Sequence, residues 1–187
     1  MTKKLWDFSS SASRPALFSE QRTMTYQELG AEADRIASSV PSRSLVMLLA
    51  RNSLAAIAGY VGFVKNRAVP IMIDAALDTE LLTDLITRYH PCYAWVPAEW
   101  AAAFPLGRVI LRCEEYVLLD LAEENPFPMH DDLALLMTTS GSTGSPKLVR
   151  QSYDNLKANT ESIVKYLKLN EDERAVTNLP LHYVYGL

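Results

Sequence analysis

The sequence predicts an α/β fold in which mostly parallel sheets are flanked by helices. Three observations support this class: continuous apolar runs of strand length, such as 44–50 and 68–74, apolar residues at helical spacing between those runs, and short polar links. Continuous apolar runs are typical of parallel strands covered on both faces, and the alternation of strand and helix is typical of βαβ units. A chain of 187 residues is long enough for one domain with a sizeable core, or for one and part of a second.

The first predicted helix begins at a capping box. Thr25 is followed three residues later by Glu28, and apolar residues then recur at helical spacing until the chain meets Pro41. A buried strand over 44–50 follows this helix.

The second predicted helix covers 54–64, with Asn52 or Ser53 as its N-cap. Small residues on one side should let this helix approach a neighbouring backbone closely. They are Ala55, Ala56, Ala58, Gly59 and Gly62. A strand over 68–74 comes next, in which Pro70 indicates an edge or irregular position, although a central one stays open.

The alternation continues along the chain. Asp78 is expected to cap a helix that stops at His90 before Pro91, and two short strands are predicted over 92–96 and 108–111.

The regular pattern loosens after Glu114, which suggests a boundary. We predict a first α/β subdomain over 1–115, a connection over 116–132, and the start of a second α/β subdomain over 133–187. The predicted elements of the last part are a strand over 133–138, a short returning strand over 148–151, a helix capped by Ser152 with Glu161 paired to Lys165, and a strand over 175–179.

Composition and charge exclude several classes of function. The formal net charge of −4 is spread along the chain without a basic cluster, so no nucleic-acid partner is expected. Cys92 and Cys113 form no metal-ligand or disulfide spacing, which suits a reducing cytoplasm. The longest apolar stretch, 54–64, is far short of the ~20 residues that a bilayer requires. We therefore expect a cytoplasmic protein with no membrane span, no signal peptide and no metal ligands of its own.

A loop built for phosphate follows the apolar run 133–137. Residues 139–147 read Thr-Ser-Gly-Ser-Thr-Gly-Ser-Pro-Lys, in which glycines allow close backbone approach and the hydroxyl and ammonium groups donate to oxyanions. A Walker loop would end in Gly-Lys-Ser/Thr, but Lys147 lies between Pro146 and Leu148. The glycines are also misspaced for a dinucleotide fingerprint.

This loop resembles the phosphate-loop signature of the acyl-adenylate-forming superfamily, which includes acyl-CoA synthetases, aryl-CoA ligases, peptide-synthetase adenylation domains and luciferases. Segments 25–29, 64–74 and 179–187 are similar to further family motifs, in the same order, so the resemblance covers nearly the whole chain. It implies the N-terminal part of the large domain of an adenylate-forming enzyme. Asn66-Arg67 depart from the small residues common in the family.

The resemblance implies an ATP-dependent, carboxylate-activating ligase. Such an enzyme forms an acyl-adenylate from a carboxylic acid and passes the acyl group to the thiol of CoA or of a carrier-protein pantetheine, with ATP and Mg²⁺ as cofactors. The resemblance assigns phosphate binding to Thr139, Ser140, Gly141, Ser142, Thr143, Gly144 and Lys147, with magnesium on the phosphates.

Two residues of the last motif are candidates for the acyl pocket. His182 lies one place earlier than the family's usual histidine, and Tyr183 occupies that usual position. A packed aromatic wall is the alternative role for both. Asp74 ends a predicted strand, where ligands often gather, although a cap or turn role is favoured there.

The family is more than twice as long as this chain, and its adenosine-binding motifs and catalytic lysine lie downstream of the last motif found here. We therefore expect a truncated N-terminal portion that is inactive as a ligase by itself, with no catalytic residue among these 187. Two other functions stay open: a non-catalytic fragment or nucleotide-binding module with the same scaffold, and a phosphotransferase with an unusual phosphate loop.

Overall fold

The computed structural model describes residues 6–124, 126–138 and 148–183. Within these ranges the strands are β1 (Pro15–Phe18), β2 (Thr23–Thr25), β3 (Leu45–Ala50), β4 (Val69–Asp74), β5 (Tyr93–Pro97), β6 (Arg108–Cys113), β7 (Tyr116–Asp120), β8 (Leu133–Thr138) and β9 (Leu148–Ser152). The α-helices are α1 (Tyr26–Ala37), α2 (Leu54–Lys65), α3 (Thr79–Tyr89) and α4 (Tyr153–Leu167).

A seven-stranded sheet organises the molecule, with strand order β6-β7-β5-β3-β4-β8-β9. The four central strands β5, β3, β4 and β8 run parallel, whereas β6, β7 and β9 join by antiparallel pairing. The predicted α/β class, with a central sheet and flanking helices, is confirmed. Strands β1 and β2 form a separate antiparallel pair.

Both faces of the sheet are covered, as the continuous apolar runs require. In β3, Val46 and Leu48 point to the core shared with α1 and α2, while Met47 and Leu49 point to the core shared with α3. Each of these four side chains is at most 1% exposed. Apolar residues on both sides of a strand are the expected result of burial on both faces.

The small residues of α2 have the predicted effect. A Cβ placed on Gly62 would lie 2.4 Å from the backbone oxygen of Ala33 in α1, and one placed on Gly59 would lie 2.3 Å from the indole nitrogen of Trp95 in β5. The two glycines therefore allow α2 to lie against both a helix backbone and a large aromatic ring.

The predicted helix starts are confirmed by their caps. The side chains of Thr25, Ser53, Asp78 and Ser152 each accept a hydrogen bond from the backbone N–H three residues later. Ser53, rather than Asn52, is the cap of α2. Helix α3 ends at His90, which adopts a left-handed conformation with φ of 47°.

Pro70 lies in a central strand, between β3 and β8. The neighbouring Val69 N–H donates to the Ser44 carbonyl on the β3 side, so Pro70 faces β8. The register between β4 and β8 begins only at Ile71, and for this reason the missing N–H of Pro70 costs no ladder bond.

Three elements differ from the prediction. The stretch assigned as a connection begins with β7, because the chain reverses at Glu114, with φ of 49°, and inserts between β5 and β6. The predicted strand over 175–179 does not form: the carbonyls of Thr177 and Leu179 accept hydrogen bonds from a side chain instead of from a strand. Glu161 pairs with Lys157 at 3.9 Å, not with Lys165 as expected.

The division into subdomains stays a prediction. Strand β8, assigned to the second subdomain, pairs with β4 in the same sheet as the first. No helix in the described ranges has both the length and the apolar character needed to cross a bilayer.

Candidate functional site

The strand order creates a crevice at the carboxyl ends of β3 and β4. These strands are adjacent and parallel, yet the helices that follow them, α2 and α3, lie on opposite faces of the sheet. In open α/β sheets, ligands bind outside the carboxyl ends of strands at such a switch point. A cavity of about 350 Å³ lies there. It is lined by Ala50, Arg51, Asn52, Asp74, Ala75, Ala76, Asn178 and Pro180.

Asp74 lies at the end of β4, and each of its two carboxylate oxygens makes a contact. Its Oδ1 accepts a hydrogen bond from the Ala76 N–H at 2.9 Å, which confirms the turn role expected for this residue. Its Oδ2 lies 3.7 Å from His182 Nε2. The structure therefore brings together two residues that are 108 positions apart in the sequence.

The His182 ring lies beside Asp74, one of the residues that line the crevice. The side chain is 14% exposed, and its Nδ1 is buried without a hydrogen-bond partner among the described residues. Tyr183 meets the ring edge to face, with centroids 6.4 Å apart, and its own side chain is partly exposed. A hydrogen bond from the Tyr183 N–H to the Pro180 carbonyl, at 2.9 Å, folds this segment into a turn.

Asn52 joins the crevice to the segment that carries His182. Its Nδ2 donates to the carbonyls of Thr177 and Leu179, at 2.9 and 2.8 Å, and its Oδ1 accepts from the Leu181 N–H at 2.9 Å. Sequence reasoning assigned Asn52 only as a possible helix cap and missed this contact. No local spacing in the sequence marks it, because the partners are 125 to 129 residues away.

Arg51 adds positive charge beside the cavity. Its guanidinium lies 2.7 Å from a Glu99 carboxylate oxygen. A hydrogen bond from the Glu99 backbone, together with Arg51, lowers the pKa of the Glu99 carboxyl. This ion pair fixes the chain directly after β3 to the turn that follows β5.

The predicted phosphate-binding residues, Thr139 to Gly144 and Lys147, lie outside the described residues. The two ends of the loop can still be placed, because Thr138 and Leu148 are paired in the β8–β9 register. Met137 of β8 lies beside Met72 of β4, so β8 ends at the same edge of the sheet as Asp74.

A larger cavity, of about 810 Å³, lies along β8 and β9 on the α3 side of the sheet. Its lining is mostly apolar, and it contains none of the residues that the sequence singled out for a site. We place the candidate site in the smaller crevice because the strand topology and the converging polar groups both favour it. No cluster of metal-ligating side chains occurs in the part of the chain that the structure describes.

Parts of the chain are similar to known CoA ligases and synthases. A sulfoacetate–CoA ligase from Cupriavidus necator is 41% identical over 68 residues, which are 36% of this chain and 13% of that protein. A feruloyl-CoA synthase from an Amycolatopsis species is 40% identical over 93 residues, which are 48% of this chain and 18% of that protein.

A solved structure shares the fold over the whole chain. The o-succinylbenzoate CoA synthetase MenE from Bacillus subtilis, in complex with ATP and magnesium, superposes with a TM-score of 0.76 and 20% identity. The superposition covers 100% of this chain and 52% of MenE, so the chain spans about half the length of that relative. The family described as AMP-binding enzyme matches residues 6–187. The chain therefore belongs to the family of AMP-binding enzymes.

Proposed function

We propose that the protein containing this chain is an ATP-dependent ligase that converts a carboxylic acid into an acyl-adenylate and passes the acyl group to a thiol. The family match over 6–187 carries this proposal. The names of two relatives, each a CoA ligase or synthase, favour CoA as the acceptor, with a carrier-protein pantetheine as the alternative. A phosphate-type loop sequence follows β8, which ends at the same edge of the sheet as Asp74, and this adds support.

The first step joins two anions. A carboxylate oxygen attacks the α-phosphorus of ATP, the bond to the β-phosphate oxygen breaks, and pyrophosphate leaves. Oriented donors and positive charge lower the barrier to such a step because they stabilise the charge that develops on the phosphate oxygens.

The chemistry of the loop fits this task. Hydroxyl groups of Thr139, Ser140, Ser142 and Thr143 and the Lys147 ammonium all donate to oxyanions, while Gly141 and Gly144 permit close approach of the backbone. In this proposal these residues hold the β- and γ-phosphates. Magnesium, bound to the same phosphates, would neutralise part of their charge.

His182 and Tyr183 are proposed to line the acyl pocket. His182 contacts Asp74, which lines the crevice, and the partly exposed Tyr183 ring packs on His182 and is accessible to a ligand. The 187 residues alone are proposed to have little or no ligase activity, because they match only about half of MenE.

A lysine variant tests the role of the loop. Lys147→Ala, in the longest product of the reading frame that contains this chain, should slow carboxylate-dependent exchange between ATP and pyrophosphate by several-fold or more. Removal of one preorganised donor to a developing oxyanion typically lowers the rate by about 10²–10³-fold.

Lys165→Ala is the matched control, because Lys165 lies on the exposed face of α4. Its exchange rate should equal that of the wild type. Equal rates for Lys147→Ala and the wild type would contradict the assigned role. Formation of ADP without carboxylate-dependent exchange would instead indicate a phosphotransferase, and absence of both activities a binding module.

A further inference from the structure

We propose that Asn52 is a positioning residue for the acyl pocket, because its carboxamide fixes the backbone that carries His182 and Tyr183. This inference rests on the proposed function. It adds a residue from the other end of the chain, after β3, to the set that determines how the carboxylic acid binds.

The three hydrogen bonds of Asn52 define one geometry. Its two N–H groups reach the carbonyls of residues 177 and 179, and its oxygen accepts the N–H of residue 181. The three backbone groups belong to alternate residues, and all of them face the Asn52 carboxamide. The carboxamide thus holds the segment at three backbone groups.

Asn52 is well placed for this role because its own backbone is fixed. It follows β3 directly and precedes Ser53, whose side chain caps α2 and whose N–H donates to the Arg51 carbonyl at 2.9 Å. Since Ser53 is the helix cap, the Asn52 side chain is available for the distant segment.

The segment itself has few other anchors. Residues 171–180 are exposed throughout, and Leu181 is the first buried residue after them. An ion pair between Arg14 and Glu171, at 2.7 Å, holds the far end. Near the crevice, the side-chain hydrogen bonds to residues 177–181 come from Asn52, and the burial of Leu181 in the core adds an apolar contact.

Asp74 alone cannot replace this anchor. Its 3.7 Å separation from His182 Nε2 exceeds the length of a well-formed hydrogen bond, so this contact does not fix the ring. The place of the ring follows from the backbone at Leu181, which Asn52 holds.

The experiment uses the longest product of the reading frame and the carboxylate-dependent exchange assay, with the carboxylic acid and ATP varied separately. Asn52→Ala should raise KM for the carboxylic acid by about 5- to 10-fold, the equivalent of one lost net hydrogen bond, and leave KM for ATP within about twofold. Asn52→Asp should have at least as large an effect. This variant keeps the volume and the Leu181 acceptor but places an oxygen against two carbonyl oxygens.

Asn66→Ala is the matched control. The Asn66 carboxamide also donates to two carbonyls, those of Ala37 and Val40 at 3.1 and 2.8 Å, but it lies at the other end of α2. Its loss should lower stability and leave both KM values unchanged.

Amide hydrogen exchange of the same proteins separates the two proposals. The Leu181 amide should exchange faster in Asn52→Ala and not in Asn66→Ala. Faster exchange with an unchanged KM for the acid would make Asn52 purely structural, and unchanged exchange would show that it anchors nothing; either result overturns the inference. A wild type without carboxylate-dependent activity would overturn the proposed function, and with it the role in acid binding, even if the amide data still showed the anchor.

Discussion

Arg43 joins three parts of the chain at the amino ends of the central strands. Its guanidinium donates to the carbonyls of Arg67, Leu133 and His130, at 3.2, 2.9 and 2.6 Å. Burial lowers the pKa of this guanidinium, and its hydrogen-bonded acceptors are carbonyl dipoles rather than a carboxylate. These bonds hold the start of β8 beside the turn that leads into β4.

Arg43→Ala should lower the free energy of unfolding by about 2–3 kcal/mol. Three carbonyls lose a charged donor, and the loss is smaller than three separate bonds because the site is only partly buried. Urea unfolding at neutral pH measures the change.

Arg108→Ala is the comparison for this prediction. The Arg108 side chain is 78% exposed and pairs with Asp120 at 3.1 Å, so its loss should cost no more than about 0.5 kcal/mol. Equal costs for the two variants would show that the Arg43 bonds add nothing to stability.

For single residues, the sequence predicts roles that depend on near neighbours well and roles that depend on distant residues poorly. Ser53, Asp78 and Ser152 cap helices as expected, because a cap depends on residues three positions away. Asn52 acts across 125 residues or more and Asp74 across 108, and neither distance leaves a local pattern.

The close packing of helix α2 depends on two glycines, which have no side chain. Gly62 and Gly59 lie within α2, where alanine would ordinarily stabilise a helix by about 1 kcal/mol. Here the added Cβ would overlap the Ala33 backbone or the Trp95 ring. Backbone moves less easily than a side chain, so the steric cost exceeds the gain in propensity.

Gly62→Ala should therefore lower the free energy of unfolding, by about 1–3 kcal/mol. Gly30→Ala provides the opposite case within α1, because its Cβ would meet Phe8 at an ordinary 3.6 Å. That variant should gain up to about 1 kcal/mol. The denaturant midpoints of unfolding of both variants test these predictions. A Gly62→Ala variant more stable than the wild type would show that α1 and α2 can move apart at little cost.

Elements with strong local patterns are those that the sequence predicts. The small residues of α2 and the apolar runs of β3, β4 and β8 identify their elements correctly. The β1–β2 pair was not predicted because its strands have only four and three residues. The strand expected over 175–179 was wrong because apolar residues there lie on the surface, with Val176 86% exposed.

The fold buries Cys113, the last residue of β6, in the core that α1 shares with the sheet. Burial raises the pKa of its thiol to about 12, and a hydrogen bond with Glu32 contributes in the same direction. An unfolded cysteine has a pKa of about 8.5. The folded chain thus keeps a proton that the unfolded chain releases, so this thiol's contribution to stability falls as the pH rises from about 8.5 towards 12.

Wild-type protein should accordingly lose more stability than Cys113→Ala between pH 7 and pH 10. The difference should be about 1–2 kcal/mol, measured by urea unfolding at both pH values. An equal loss of stability in the two proteins would show that the thiol is solvated in the folded state.

The position of β8 beside β4 also determines the order in which strands can pair during synthesis on the ribosome. Strands β3, β4 and β5 can assemble once residue 97 has emerged, but the β4 edge that carries Ile71 and Met72 must wait for residues 133–138. At about 5–20 residues per second, that wait lasts roughly 2–8 s. An unpaired apolar strand edge is a template for other chains, so the nascent protein is most open to misassociation during those seconds.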